Sequence, residues 1–148
     1  MSYISTQPGS GGGGGGSFGV VTAWTPVLKF GGSATGITYT TQVGQYVQNG
    51  NVINFSLNIV LSSKGAQAGA ATITGLPSTI GANAVYPVAS GNLTFIMGAD
   101  YIAGQIASGS SPITINLLWV SSGTTTTAST NTDFSDTTSL QISGSYLI

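Results

Sequence analysis

The sequence predicts an all-β fold, an antiparallel β-sandwich or jelly roll of about nine strands. Apolar and polar residues alternate after residue 20, most clearly in Val52–Leu61, where isoleucine, phenylalanine and leucine share one face. Asn54, Ser56 and Asn58 lie on the opposite face of this run. Turn-forming groups such as Gly31-Gly32 recur between the alternating runs, and no stretch has the spacing of an amphipathic helix.

The strands follow one another in chain order with turn signals between them. Thr22–Phe30 is the first strand. Ile37–Gln48 and Val52–Leu61 form a hairpin, because Asn49-Gly50 is a dipeptide that fits the primed hairpin turns. Ser90–Asn92 is predicted to be a turn. The remaining strands are alternating runs bounded by Gly, Pro, Ser or Asn: Ala70–Thr74, Val85–Ala89, Leu93–Met97, Tyr101–Ala107, Ile113–Val120 and Leu140–Tyr146.

The composition excludes most catalytic chemistry. The 148 residues include 2 Lys+Arg, 3 Asp+Glu and neither His nor Cys. The chain therefore lacks a proton shuttle that titrates near neutral pH, an imidazole metal ligand and a thiolate. We predict no catalytic residue, no cofactor and no metal site. Two lysines supply too little positive charge for a phosphate backbone, so nucleic-acid binding is not expected.

The chain divides into an arm, residues 1–19, and a β-sandwich domain, residues 20–148. The arm carries six consecutive glycines, Gly11–Gly16, which predict a flexible linker. Ahead of them Tyr3, Ile4 and Pro8 are the predicted anchor to a larger particle. The arm lacks the basic start and apolar middle of a signal peptide, and no run is long enough for a membrane helix. We therefore expect a soluble chain that is neither exported by the general secretory route nor inserted in a membrane.

A polar segment, Ser121–Ser139, is predicted to be a loop that contacts a receptor. Hydroxyl, amide and aromatic groups in this segment suit contacts with a host glycan. The candidate contact residues are Thr126, Asn131, Asp133, Phe134 and Asp136. Asp133 and Asp136 could instead share a calcium ion with carbonyl oxygens, although solvated loop carboxylates are the preferred interpretation.

Several sequence blocks resemble a domain common at the ends of bacteriophage tail-fibre and other virion-surface proteins. These blocks are Trp24–Gly32, Gly36–Tyr39, Gly44–Tyr46, Gly50–Val52, Ser62–Gly65, Ile73–Pro77 and Leu140–Tyr146. The resemblance spans most of Trp24–Ile148, with a looser match in the middle. It implies a trimeric, β-rich, non-enzymatic module of the virion. The short arm differs from the extended shafts that precede this domain in long fibres.

The first functional hypothesis is therefore a homotrimeric knob at the tip of a tail fibre. Residues 1–19 would attach it to other virion proteins, and the knob would meet a host surface glycan. We expect it to be assembled in the host cytoplasm and located on the phage particle. The first alternative is a capsid decoration protein, such as a cement or head-fibre protein. The second is a soluble carbohydrate- or ice-binding module, suggested by Thr38–Thr40 and Thr72–Thr74.

Overall fold

The computed structural model describes residues 19–77, 86–94, 101–106, 113–121 and 125–148. Strands dominate these ranges, with one short 3-10 helix at Asn131–Asp133. The strands are β1 (Val21–Trp24), β2 (Val27–Phe30), β3 (Thr38–Asn49), β4 (Val52–Ser63), β5 (Ala71–Thr74), β6 (Tyr86–Thr94), β7 (Tyr101–Ile106), β8 (Thr114–Ser121), β9 (Thr125–Ala128) and β10 (Ser139–Leu147). All paired neighbours are antiparallel. No helix within the described ranges is long and apolar enough to cross a membrane.

The strands form one hydrogen-bonded path in the order β1-β3-β4-β10-β6-β7-β8-β5-β2, and β9 pairs with β8. Leu28 on β2, the last strand of the path, and Ile59 on β4, the third strand from the other end, belong to the same buried cluster. Ile73, Ile115 and Leu140 join this cluster from β5, β8 and β10. Apolar side chains of both halves therefore pack face to face, which confirms the predicted antiparallel β-sandwich.

The β3–β4 hairpin is the longest element and follows the predicted alternation. Ile53, Phe55, Leu57, Ile59 and Leu61 are all buried, whereas the intervening residues are less buried or exposed. The turn includes Gly50, whose φ of 58° lies in the left-handed region that glycine adopts without a steric penalty. The alternation in the sequence therefore correctly identifies which face of β4 packs into the core.

The predicted strand Thr22–Phe30 is wrong as a single element. The chain breaks at Pro26 into β1 and β2, which lie at opposite ends of the path. β1 pairs with β3, whereas β2 pairs with β5 in the other half of the sandwich. Proline lacks the N–H that a continuing strand would use, and it restricts the residue before it, here Thr25. The crossing from one sheet edge to the other therefore takes place at Thr25-Pro26.

The free edge of β2 is satisfied by groups that do not belong to another strand of the sheet. The Leu28 N–H donates to the Tyr39 hydroxyl at 3.1 Å, and that hydroxyl donates to the Leu28 carbonyl at 3.5 Å. Gln42 Nε2 donates to the Pro26 carbonyl at 2.9 Å. Phe30 exchanges two backbone hydrogen bonds with Ser33. We call this junction between β2 and β3 the seam, and it closes the sandwich through side chains and a turn.

Trp24 at the end of β1 lies against a glycine of β3. An added Cβ at Gly44 would be 2.5 Å from the indole Cε2 and Nε1 atoms. The indole also packs edge-on against Phe55, with ring centroids 6.4 Å apart. Glycine at position 44 therefore makes room for the tryptophan ring against the sheet.

Two further predictions differ from the structure. Val85–Ala89 and Leu93–Met97 were expected as separate strands around a turn, but β6 runs through Ser90–Asn92. The register with β10 shifts there, so the predicted turn is an irregularity within a continuous strand. Residues 85 and 95–97 lie outside the described ranges. The predicted loop Ser121–Ser139 contains the 3-10 helix and also β9, whose threonine run favours extended backbone.

Candidate functional site

Phe134, which the sequence predicts to be a receptor contact, is instead a core residue, so that prediction is wrong. Its side chain is 0% exposed. Its ring packs edge-on against Phe30, with centroids 5.0 Å apart. The aromatic ring in an otherwise polar segment therefore fixes that segment to the sandwich and is not available to a receptor.

The polar members of the same segment mainly hold a neighbouring loop. Asn131 Oδ1 accepts a hydrogen bond from the Gly69 N–H at 3.1 Å, and the Asn131 carbonyl accepts one from Lys64 Nζ at 3.0 Å. Asp136 Oδ1 accepts from the Lys64 N–H at 2.8 Å. Asp133 Oδ2 accepts from the Thr130 N–H at 2.8 Å. The side chains of Asn131 and Asp136 therefore hold the loop between β4 and β5, whereas Asp133 caps the start of the 3-10 helix.

These contacts bear on the calcium alternative at Asp133 and Asp136. One carboxylate oxygen of Asp133 accepts a hydrogen bond from the Thr130 N–H, and one of Asp136 accepts from the Lys64 N–H, in a different part of the chain. Among the described residues, no group of three or more His, Cys, Asp or Glu side chains could hold a metal ion. Thr126, another predicted contact residue, lies on β9, where its backbone pairs with Val120 of β8.

The predicted anchor residues Tyr3, Ile4 and Pro8 lie outside the described residues. The structure does place the point at which the arm joins the domain. The Gly19 N–H donates to Asn49 Oδ1 at 3.0 Å, next to the turn between β3 and β4. The arm therefore enters at the hairpin end of the sandwich.

The hairpin end exposes apolar side chains. Val20 is 80% exposed, Val21 60% and Leu147 47%. Val21 pairs with Val47, and Leu147 pairs with Val52. We call these five residues the apolar end. Exposed apolar groups that cluster in this way favour association with another protein surface.

A different surface lies further along the same strands. We call the side of β3, β4 and β10 that points away from the core the outer face. It contains a shallow depression of about 470 Å³. The side chains of two cross-strand rows line it, Val43, Asn58 and Gln141 in one row and Gln45, Ser56 and Ser143 in the other. The lining side chains include no charged group, so the depression has neither an acid nor a base that could transfer protons.

A second, smaller depression of about 240 Å³ adjoins the first. It shares Gln45 and Ser56 with the larger one and extends toward Asn54, Val47 and Val21. The polar rows and the apolar end are therefore neighbouring parts of one uncharged sheet surface.

Part of this surface could be predicted from the alternation of residues. The alternation of β4 placed Asn54, Ser56 and Asn58 together on the side away from the core. The cross-strand register adds Gln45 from β3 and Ser143 from β10, which flank Ser56 on either side. Only the register brings these side chains together, because β10 follows β4 after more than 70 residues of chain.

Comparisons with known protein families, with curated proteins and with solved structures find no match to this chain.

Proposed function

We propose that the chain is a non-enzymatic structural protein at the surface of a bacteriophage particle. In this proposal it forms the receptor-binding tip of a tail fibre and acts as a homotrimer. Residues 1–19 attach it to other virion proteins, and the sandwich domain is presented to the host surface. In this proposal the protein is located on the surface of the virion, after assembly in the host cytoplasm.

The observation that carries this proposal is the arrangement of the uncharged sheet surface. The apolar end lies where the arm joins at Gly19, and the polar depression lies further along the strands. Side chains such as Val20 and Val21 are costly to leave in water, so they are suited to burial against another subunit. The low charge of the whole chain, 3% Asp, Glu, Lys and Arg, also favours permanent assembly over life as a free monomer.

The resemblance to tail-fibre and virion-surface domains supports the same proposal. Its blocks fall on elements that build the uncharged surface, including Gly44–Tyr46 on β3 and Leu140–Tyr146 on β10. The lack of charged groups in the depression fits binding without catalysis.

The trimer is tested first, with the full chain in solution. Light scattering is expected to give about 44 kDa, three times the 14.7 kDa of one chain. Val21→Gln combined with Leu147→Gln is expected to shift the mass toward the monomer at micromolar concentration. Ala66→Gln, an exposed position on the loop after β4, is the matched control and is expected to keep the trimer mass. A wild-type protein that remains a 14.7 kDa monomer would contradict the proposal.

Attachment is tested on purified particles. Deletion of residues 1–16 is expected to leave the trimer mass and the melting temperature nearly unchanged and to abolish incorporation, which quantitative mass spectrometry measures. Tens of copies in a wild-type particle support the tail location, whereas hundreds indicate a capsid decoration protein. Normal incorporation of the truncated chain would show that the domain, not the arm, makes the attachment.

A further inference from the structure

The depression on the outer face has the dimensions and the relief of a small-molecule site. Neighbouring strands are about 4.8 Å apart and residues two positions apart on a strand are separated by about 7 Å, so the two rows span roughly 10 Å by 7 Å. Ser56 and Ser143 are short and pair directly across β4 and β10. Gln45 lies beside Ser56 on the neighbouring strand β3, and Gln141 lies two residues from Ser143 on β10. The short serines therefore lie next to longer amide side chains in the lining of the depression.

The backbone groups of β4 and β10 are already hydrogen bonded to neighbouring strands. β4 lies between β3 and β10, and β10 lies between β4 and β6, so both strands are internal to the path. An extended peptide therefore has no free strand edge to join here. Recognition at the depression has to come from side chains.

Those side chains have the hydrogen-bonding chemistry of a sugar site. Each amide of Gln45, Asn58 and Gln141 offers a carbonyl acceptor and an NH₂ donor, and each serine hydroxyl can do both. Sugar hydroxyls also donate and accept. Among the described residues, the side chains of Gln45, Gln141 and Ser143 make no hydrogen bonds, so they are available to a ligand. Val43, 50% exposed at one corner, offers an apolar surface to the C–H groups of a ring.

The same set of side chains disfavours a charged ligand. A phosphate or carboxylate that entered the depression would lose hydration without gaining a cationic partner, because none of the lining residues is Lys or Arg. The chemistry therefore selects an uncharged ligand.

Asn58 provides an independent indication. Its Oδ1 atom has less than 1 Å² of exposed surface and no hydrogen-bond partner among the residues that the structure describes. A buried acceptor without a donor costs free energy. A rotamer of Asn58 that brings its whole amide into the depression would present both Oδ1 and Nδ2 to the hydroxyls of a ligand, and the buried position would be left without a polar group.

We propose that the outer face of β3, β4 and β10 binds a neutral saccharide. Asn58, Gln45 and Gln141 supply the hydrogen bonds, and Val43 packs against a sugar ring. The inference rests on the proposed function for its biological setting, since the saccharide would belong to the host surface. Saccharide binding is measured on the isolated protein, whereas the proposed function is tested on particles, so failure of one is distinguishable from failure of the other.

The test uses the full chain on an array of neutral oligosaccharides, built from glucose, galactose or N-acetylglucosamine, beside acidic ones that contain sialic or glucuronic acid. Titration calorimetry then measures the affinity for the strongest neutral ligand. Asn58→Ala is expected to weaken this affinity at least tenfold while leaving the melting temperature unchanged or raised, because it removes an unsatisfied acceptor. Asn54→Ala, on the same strand and side but outside the larger depression, is the matched control and is expected to bind within twofold of wild type.

Ser143→Leu is the second variant, because a leucine would fill part of the depression without removing an amide. It is expected to abolish binding and to leave the oligomer mass unchanged. Absence of binding to every neutral oligosaccharide, or binding to acidic ones alone, would overturn the proposal. So would full affinity in both Asn58→Ala and Ser143→Leu. Loss of the oligomer in these variants would identify the face as a contact between copies of the chain and would likewise overturn it.

Discussion

Replacement of Tyr39 by phenylalanine tests whether the seam holds β2 against β3. The hydroxyl accepts from the Leu28 N–H at 3.1 Å, and its own bond to the Leu28 carbonyl is 3.5 Å long and weaker. Leu28 is fully buried, so the variant leaves its N–H without this partner. A buried donor that loses its acceptor costs about 1–3 kcal/mol. For a chain of this size that corresponds to a fall in melting temperature of roughly 3–9 °C.

The assay is denaturant unfolding of wild type, Tyr39→Phe and a control, Tyr46→Phe. Tyr46 lies on the same strand, and its hydroxyl makes no hydrogen bond to any of the described residues. Only Tyr39→Phe is expected to lose stability, and hydrogen exchange should show faster exchange of the Leu28 amide. Equal stability of the two variants, with the Leu28 amide still protected, would refute the argument that side chains close this edge.

Four other predictions follow from described contacts. Phe134→Ala removes a buried ring that packs on Phe30 and is expected to cost about 3–5 kcal/mol in chemical denaturation; an unchanged stability would restore the receptor-loop interpretation. Gly44→Ala is expected to cost about 1–3 kcal/mol and to shift tryptophan fluorescence, because the new Cβ would meet the Trp24 indole. Burial raises the pKa of the hydroxyls of Tyr39 and Tyr146 in the folded state. The free energy of unfolding should therefore be constant from about pH 6 to 9 and fall above about pH 10, where the unfolded chain releases protons that the folded chain keeps. Urea unfolding midpoints measure this fall, which should be smaller in the variant that carries both Tyr39→Phe and Tyr146→Phe. EDTA is expected to leave the melting temperature unchanged, and a fall of several degrees that calcium reverses would revive the metal alternative at the aspartates.

Local pattern accounts for much of the fold. The alternation in β4 defined a buried and an exposed side, and Asn49-Gly50 marked the hairpin turn, because both signals depend on residues that are close in sequence. The error at Pro26 also has a local cause. The apolar residues on both sides of Pro26 suggested one strand, whereas the missing N–H of the proline was the signal for a break.

The site was less accessible to sequence reasoning. Phe134 lies among serines, threonines and aspartates, so composition assigned it to the surface with its neighbours, whereas its size favours burial. The depression depends on the register between β4 and β10, which are distant in sequence. The alternation of Leu140, Ile142 and Tyr146 places Ser143 on the side away from the core. A shift of two residues in the register would keep that side but replace Ser56 as its partner, and no short-range signal in the chain excludes such a shift.

Because the chain crosses between the sheet edges at Thr25-Pro26, the force that the junction between arm and domain resists depends on the direction of the pull. The arm enters at the hairpin end, so a pull away from that end acts along the axis of β1 and loads its four pairs with β3 together. Beyond β1 the load passes through Pro26 to β2, which β5 and the seam hold in the other half of the sandwich. A sideways pull instead opens the β1 pairs one after another and frees roughly 13 Å of chain before it reaches the crossing. The direction of tension on the arm therefore decides whether the whole domain resists the force or whether β1 alone detaches from β3.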